Sequence, residues 1–261
     1  MSHTLDKTSA LRQGILIFVY LAVLTALEFF VAVQFVAVSI LVVVALVKAA
    51  LVGYYYMHVY MLNAEAEDDN PHSYEYKTGS NRLGLWLFLL SDSFVFGGLM
   101  VARINLLGLT RPELNQLLGL GVTAVLLVSS FFMNRGETSM AHGDRRGFLT
   151  NTLITFFLGL TFLLGVVGVE WPSAAHEGLV ASFGNPTTGP VGAVFYMMTG
   201  MHAFHVFTGL ILLLVVWNNG RRGLYSAEKH WAVEAAAVYW HFVDVVWIFF
   251  YPALYLIGRL A

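Results

Sequence analysis

The chain has 261 residues, of which 58% are hydrophobic and only 11% charged, with a formal net charge of −2 and no cysteine. A water-soluble domain carries roughly 25% charged residues, so most of this surface faces something other than water, and the weak charge gives no reason to expect nucleic acid as a partner. The lack of cysteine excludes disulfides, thiolate metal sites, iron–sulfur ligation and cysteine nucleophiles.

The pattern is that of an all-α polytopic membrane protein with seven transmembrane helices, at about 12–33, 36–60, 83–104, 117–133, 148–169, 191–216 and 232–258. Each approaches the roughly 20 apolar residues that cross a bilayer as a helix. The first two run together, and only Gln34 and Ser39 mark a turn, so two helices in a tight hairpin are expected. No signal peptide is expected, because the first apolar run is too long for one and lacks a small-residue cleavage pattern. The fourth stretch is short. None alternates in polarity as a barrel strand does. Asn63 to Ser80, with Glu65, Glu67, Asp68 and Asp69, reads as a solvated cytoplasmic linker. It divides the chain into a hairpin (1–62), a linker (63–80) and a five-helix unit (81–261). Trp171 to Pro190, rich in Gly, Pro and Ser and free of Lys and Arg, reads as an ordered cap on the opposite face.

Basic residues set the orientation. With seven spans, Lys7, Arg12, Lys77, Arg82, Arg135, Arg145, Arg146, Arg221, Arg222 and Lys229 fall on one side. Arg103, Arg111 and Arg259 fall on the other, and Lys48 lies within a span. Positive loops stay inside, which places the N-terminus in the cytoplasm and the C-terminus outside.

Ionisable residues within hydrocarbon are costly and mark function by default. Here they are Glu28, Lys48, Asp92, Glu170, His202, His205, Glu234, His241 and Asp244. Met198, His202, His205 and Gly209 share a side of the sixth helix by their spacing, and His241 and Asp244 one of the seventh. Three readings compete. His202, His205 and His241 with Asp244 would suit a metal or haem site; the same groups would suit a hydrogen-bonded packing network; or they would line a cleft for lipid or protons. Asp92, between Ser91 and Ser93, is either a buried acid bonded to a serine or backbone carbonyl, or a proton-binding site. Tyr54, Tyr55, Tyr56, Trp171, Trp217, Trp231, Tyr251 and Tyr255 near span ends read as interfacial belts. There is no phosphate loop, dinucleotide fingerprint or HExxH.

The stretch Phe195-Tyr-Met-Met-Thr-Gly-Met-His-Ala-Phe-His-Val-Phe-Thr-Gly209 resembles the sixth helix of subunit III of haem–copper cytochrome c oxidases. Tyr239-Trp-His-Phe-Val-Asp-Val-Val-Trp247 resembles that family's signature in its last helix. Leu90-Ser-Asp-Ser-Phe-Val-Phe96 with Arg103 is similar to the third helix, where most members carry glutamate at the position of Asp92. Asn151-Thr152, Gly159, Phe162 and Glu170-Trp171 fit the fifth. The likeness covers about residues 80–261. Leu24-Thr-Ala-Leu-Glu28, Leu46-Val-Lys-Ala-Ala50 and Tyr56-Met-His58 instead resemble the small bacterial oxidase subunit IV.

The resemblance implies a non-catalytic subunit of a proton-pumping terminal oxidase in the bacterial cytoplasmic membrane. Haem a and copper would lie in partner subunits, subunit I being the main contact and subunit II a further one. Phospholipid would bind in a cleft between the first two helices and the other five, and the chain would support proton uptake. Asp92, Glu170, His202 and His205 would then be proton-related or lipid-facing, and Trp240, His241, Asp244 and Trp247 a helix-packing network, none of them a metal ligand. Rival readings are a quinol oxidase subunit, the related helper protein of nitric oxide reductase, and a stand-alone proton-coupled transporter. The last lacks the inverted repeat expected of it.

Overall fold

A computed structural model describes residues 7–35, 38–57, 73–179 and 189–260. Among these, seven helical segments are long and apolar enough to cross a membrane. Helix α1 (Lys7–Phe35) and α2 (Val38–Leu51) form the hairpin expected from the run of apolar residues. Helix α3 (Tyr74–Leu107), α4 (Gln116–Ala141), α5 (Arg145–Leu164), the short α6 (Trp171–His176), α7 (Gly189–Arg221) and α8 (Trp231–Tyr251) follow. Wider π-helical turns end α2 at Val52–Tyr56, join α5 to α6 at Gly165–Glu170 and end α8 at Pro252–Leu256.

Inward faces follow helical spacing. In α1 the stripe is Gly14, Ile17, Leu21, Thr25, Glu28 and Ala32; in α2 it is Leu41, Ala45, Lys48 and Val52. The opposite faces are equally apolar, with Leu16, Val19, Tyr20, Val23, Leu27 and Phe30 exposed on α1. That is a helix buried in lipid on one side and in protein on the other. The hairpin packs on α4 and α8, α4 packs on α5, and α7 and α8 close the bundle with α3. Helix α8 is the hub: nearly every residue from Val233 to Leu256 lies away from the surface.

Local chemistry sets the boundaries. The Ser73 hydroxyl accepts from the Tyr76 N–H (3.2 Å), and Asn115 Oδ1 accepts from the N–H groups of Leu117 and Leu118 (3.1 Å each). Asp144 caps α5 through the Gly147 N–H at 2.9 Å, as short polar residues at the first position of a helix do. A parallel two-residue ladder pairs Thr110 with Arg259 and Arg111 with Leu260. It requires Gly258, at φ 115°, where a Cβ would sit 2.6 Å from the Leu109 carbonyl oxygen.

Four expectations change. The fourth helix is not short: it continues through Asn134, Glu137 and Ser139, which are buried. The fall in hydropathy there reflects polar side chains turned inward. The part of the expected linker at 74–80 is the exposed first two turns of α3, while 63–72 and His58 lie outside the described residues. Tyr56, Tyr251 and Tyr255 are interior residues rather than interfacial ones; Tyr56 donates its hydroxyl to the Gly14 carbonyl at 3.0 Å. Of the expected cap, Trp171–His176 extends the fifth span, and 180–188 lie outside the described residues.

Candidate functional site

Asp92 lies on the inward stripe of α3, with Leu89 one turn before and Phe96 one turn after. Ser91 and Ser93 leave it alone, donating to the Phe88 and Leu90 carbonyls of their own helix. Its partner comes from α7: His205 Nε2 is 2.9 Å from Asp92 Oδ2. The approach is off the direction of an in-line hydrogen bond. His205 Nδ1 lies 2.8 Å from the Met201 carbonyl oxygen, which only accepts, so Nδ1 carries a proton. The Phe96 ring packs edge-on against His205, with centroids 4.7 Å apart.

This pair opens on a groove of about 830 Å³ between α3, α7 and α8. Its floor holds Asp92, His205, Thr208 and Tyr239, and its walls are apolar, among them Leu85, Phe88, Ile211 and Leu212. The Tyr239 and Thr208 hydroxyls are 2.6 Å apart, and Tyr239 lies 3.3 Å from the His205 carbonyl oxygen. At one end Arg82 of α3 binds Glu234 of α8 through Nε and Nη2 (3.1 and 2.8 Å) and stacks over Trp231.

His202 shares a helix with His205 but not its surroundings. It is buried against Trp247 (4.9 Å) and Phe162 (5.5 Å), and neither ring nitrogen meets a partner among the described residues. Glu170 lies within the π turn after α5, inside the protein and away from lipid, and accepts from the Tyr255 hydroxyl. Trp240 donates to Ser129 (2.8 Å) and Trp247 to Thr123 (2.9 Å), while His241 Nδ1 meets Ser130 at 2.7 Å, all on α4. Asp244 lies beside His241, its Oδ2 3.8 Å from Nδ1. His202 and His205 thus point into separate surroundings, while His241 and Asp244 share a third beside Ser130. Among the described residues no three metal-ligating side chains converge.

Two groups outside the spans are tuned. Lys7, 2.7 Å from Asp144, holds that carboxyl below the usual range, helped by the Gly147 N–H. Burial pulls the Arg111 guanidinium below its ordinary value, against the opposing charge of Glu113.

In the sequence Arg103 counts toward the loop charges and the third-helix likeness, with no role of its own. The structure buries it, with its guanidinium donating to the carbonyls of Ala253, Gly108, Thr110 and Ile257. A lone arginine near the end of an apolar helix, with no acid near it in sequence, was the available signal.

These features define a heptahelical membrane protein in which an acid–histidine pair faces an apolar groove. The family described as cytochrome c oxidase subunit III matches residues 3–259, hairpin included. A cytochrome c oxidase subunit 3 from Thermostichus vulcanus is 38% identical over 184 residues, covering 68% of this chain and 87% of the relative. One from Synechocystis is 34% identical over 205 residues (75% and 84%), and one from Equus caballus is 34% identical over 187 (67% and 68%). The chain belongs to the cytochrome c oxidase subunit III family and functions as a subunit of that oxidase complex.

Proposed function

We propose that this subunit is non-catalytic, packs its outer apolar faces against oxidase subunit I, with subunit II a further neighbour, and holds phospholipid in the groove between α3, α7 and α8. Haem a and copper belong to the partner subunits, which reduce oxygen to water with electrons from cytochrome c. The observation that carries the reading is the Asp92–His205 contact at the floor of a groove about 830 Å³ in volume. Apolar walls suit acyl chains, and a protonatable pair beneath them suits a supporting role in proton uptake. The groove lies among α3, α7 and α8, whereas the hairpin packs on α4 and α8. The excess of Lys and Arg on one side supports an N-terminus in the cytoplasm of a bacterium and a C-terminus outside.

The test compares Asp92→Asn and Asp92→Glu in the assembled oxidase. Loss of the acid is expected to leave initial turnover near normal and shorten the active lifetime several-fold, with Asp92→Glu retaining it. An intact complex with unchanged turnover and lifetime in both variants would sink the proton-related role. Groove occupancy is checked separately: Ala235→Phe, which narrows the groove, is expected to lower the phospholipid retained by the purified complex.

A further inference from the structure

Four polar positions along the seam between the hairpin and the bundle are not used by the groove or by the α8–α4 hydrogen bonds. Glu28 of α1 and Lys48 of α2 are fully buried, and Lys48 Nζ donates to Glu28 Oε2. Beside them a small cavity of about 30 Å³ is lined by Lys48, Thr25, Thr123, Ser130, Asp244 and Tyr251, among others. Thr25 and Thr123 donate to the Leu21 and Gly119 carbonyls of their own helices. The Tyr251 hydroxyl and both Asp244 oxygens meet no hydrogen-bonding partner among the described residues, although Ser130 lies close enough to Asp244 to interact.

We propose that this cavity is a proton-binding site: one ordered water bridges the Lys48 ammonium to the Asp244 carboxyl, and Asp244 carries a proton. The volume exceeds the minimum of about 10–15 Å³ that holds an ordered water, which needs two to four polar partners. Lys48 has three N–H donors and spends one on Glu28. Tyr251 supplies a further donor and Asp244 the acceptor. The proton follows from counting charges: two carboxyls share one ammonium in a setting that does not tolerate an unpaired charge. Glu28 touches the ammonium and Asp244 does not. The other titratable groups beside Asp244 are His241, 3.8 Å away with Nδ1 committed to Ser130, and Tyr56, whose ring packs on His241. The site thus joins the hairpin to α8 through a bridging water, and it stands apart from the lipid and turnover reading above.

The experiment is infrared difference spectroscopy of the assembled oxidase in ordinary and heavy water, with a map of the wild-type complex that resolves ordered waters. The wild type is expected to show a protonated-carboxyl carbonyl band that disappears in Asp244→Asn. Glu28→Gln provides a second, isosteric route. It leaves Asp244 as the counter-ion of Lys48, so the band is expected to vanish there too. Density for one water within hydrogen-bonding distance of both Lys48 and Asp244 completes the case. A band that persists in either variant, or a map in which Lys48 and Asp244 share no water, overturns it.

Discussion

Replacing Arg103 by methionine removes the clamp at one end of the bundle. Its guanidinium gives four hydrogen bonds, to the carbonyls of Ala253 (2.8 Å), Gly108 (2.6 Å), Thr110 (2.9 Å) and Ile257 (2.9 Å), so one side chain ties the end of α3 to the turn after α8. Four charge-assisted bonds at about 1.5–3 kcal/mol each would be an overestimate, because the contributions share one cation whose burial is itself costly. One carbonyl is buried and three are partly exposed. Stranding the first costs about 2 kcal/mol and each of the others somewhat under 1, for a total near ~4 kcal/mol. At about 2–4 °C per kcal/mol for a chain of this size, the thermal midpoint of the subunit falls by roughly 8–16 °C. Arg103→Lys keeps the charge but not the planar fork, and about half the loss is expected. The assay is thermal release of the subunit from the purified oxidase, with amide exchange over 252–260. A shift below about 3 °C for Arg103→Met would show that the four bonds contribute little net stability.

Gly159→Val is expected to part α5 from α8, because a Cβ there would sit 2.7 Å from Trp240 Cζ2 and 3.0 Å from Leu210 Cδ2. Overpacking of this kind costs about 1–3 kcal/mol, read as reduced retention of the subunit in the complex. Thr123→Val leaves the Trp247 indole N–H without its acceptor, a loss of about 1–2 kcal/mol measurable by the same release assay. Asp144 has its folded-state pKa depressed by Lys7 and the Gly147 N–H. Its contribution is therefore present above the ordinary carboxylate range and is lost as pH falls through the depressed value. The effect is small because over a third of the side chain is exposed; Asp144→Asn is expected to flatten the acid limb of the release profile, and an unchanged limb would refute the assignment.

The seven spans and the hairpin were legible because length and continuous apolarity are the strongest signals a membrane chain carries. The end of α4 was not, because hydropathy cannot distinguish Glu137 turned into protein from a glutamate in water. The same ambiguity misplaced Tyr56, Tyr251 and Tyr255: an aromatic with a hydroxyl near a span end suits an interface, and only tertiary packing turns it inward. For the site, Asp92 and His205 were both singled out, but spacing along α7 joined His205 to His202. The i,i+3 relation puts two residues on neighbouring faces, and the helices on either side decide which neighbour each one meets. Here α3 meets His205, while α5 and α8 enclose His202.

Helix α8 combines the lowest mean hydropathy of the seven spans with the greatest burial, 72% of its most apolar stretch against 11% for α3. It is also the last of the seven to be synthesised. Lipid gives it the weakest pull into the bilayer, so its insertion depends on a socket that the earlier helices have already built. Biogenesis therefore has a direction written into the sequence. The hairpin, α4 and α7 enter on their own apolarity, and the helix bearing Trp240, Asp244 and Trp247 enters as a guest of theirs. A defect in that socket would appear first as failed integration of the C-terminal span, before any fault in the finished oxidase.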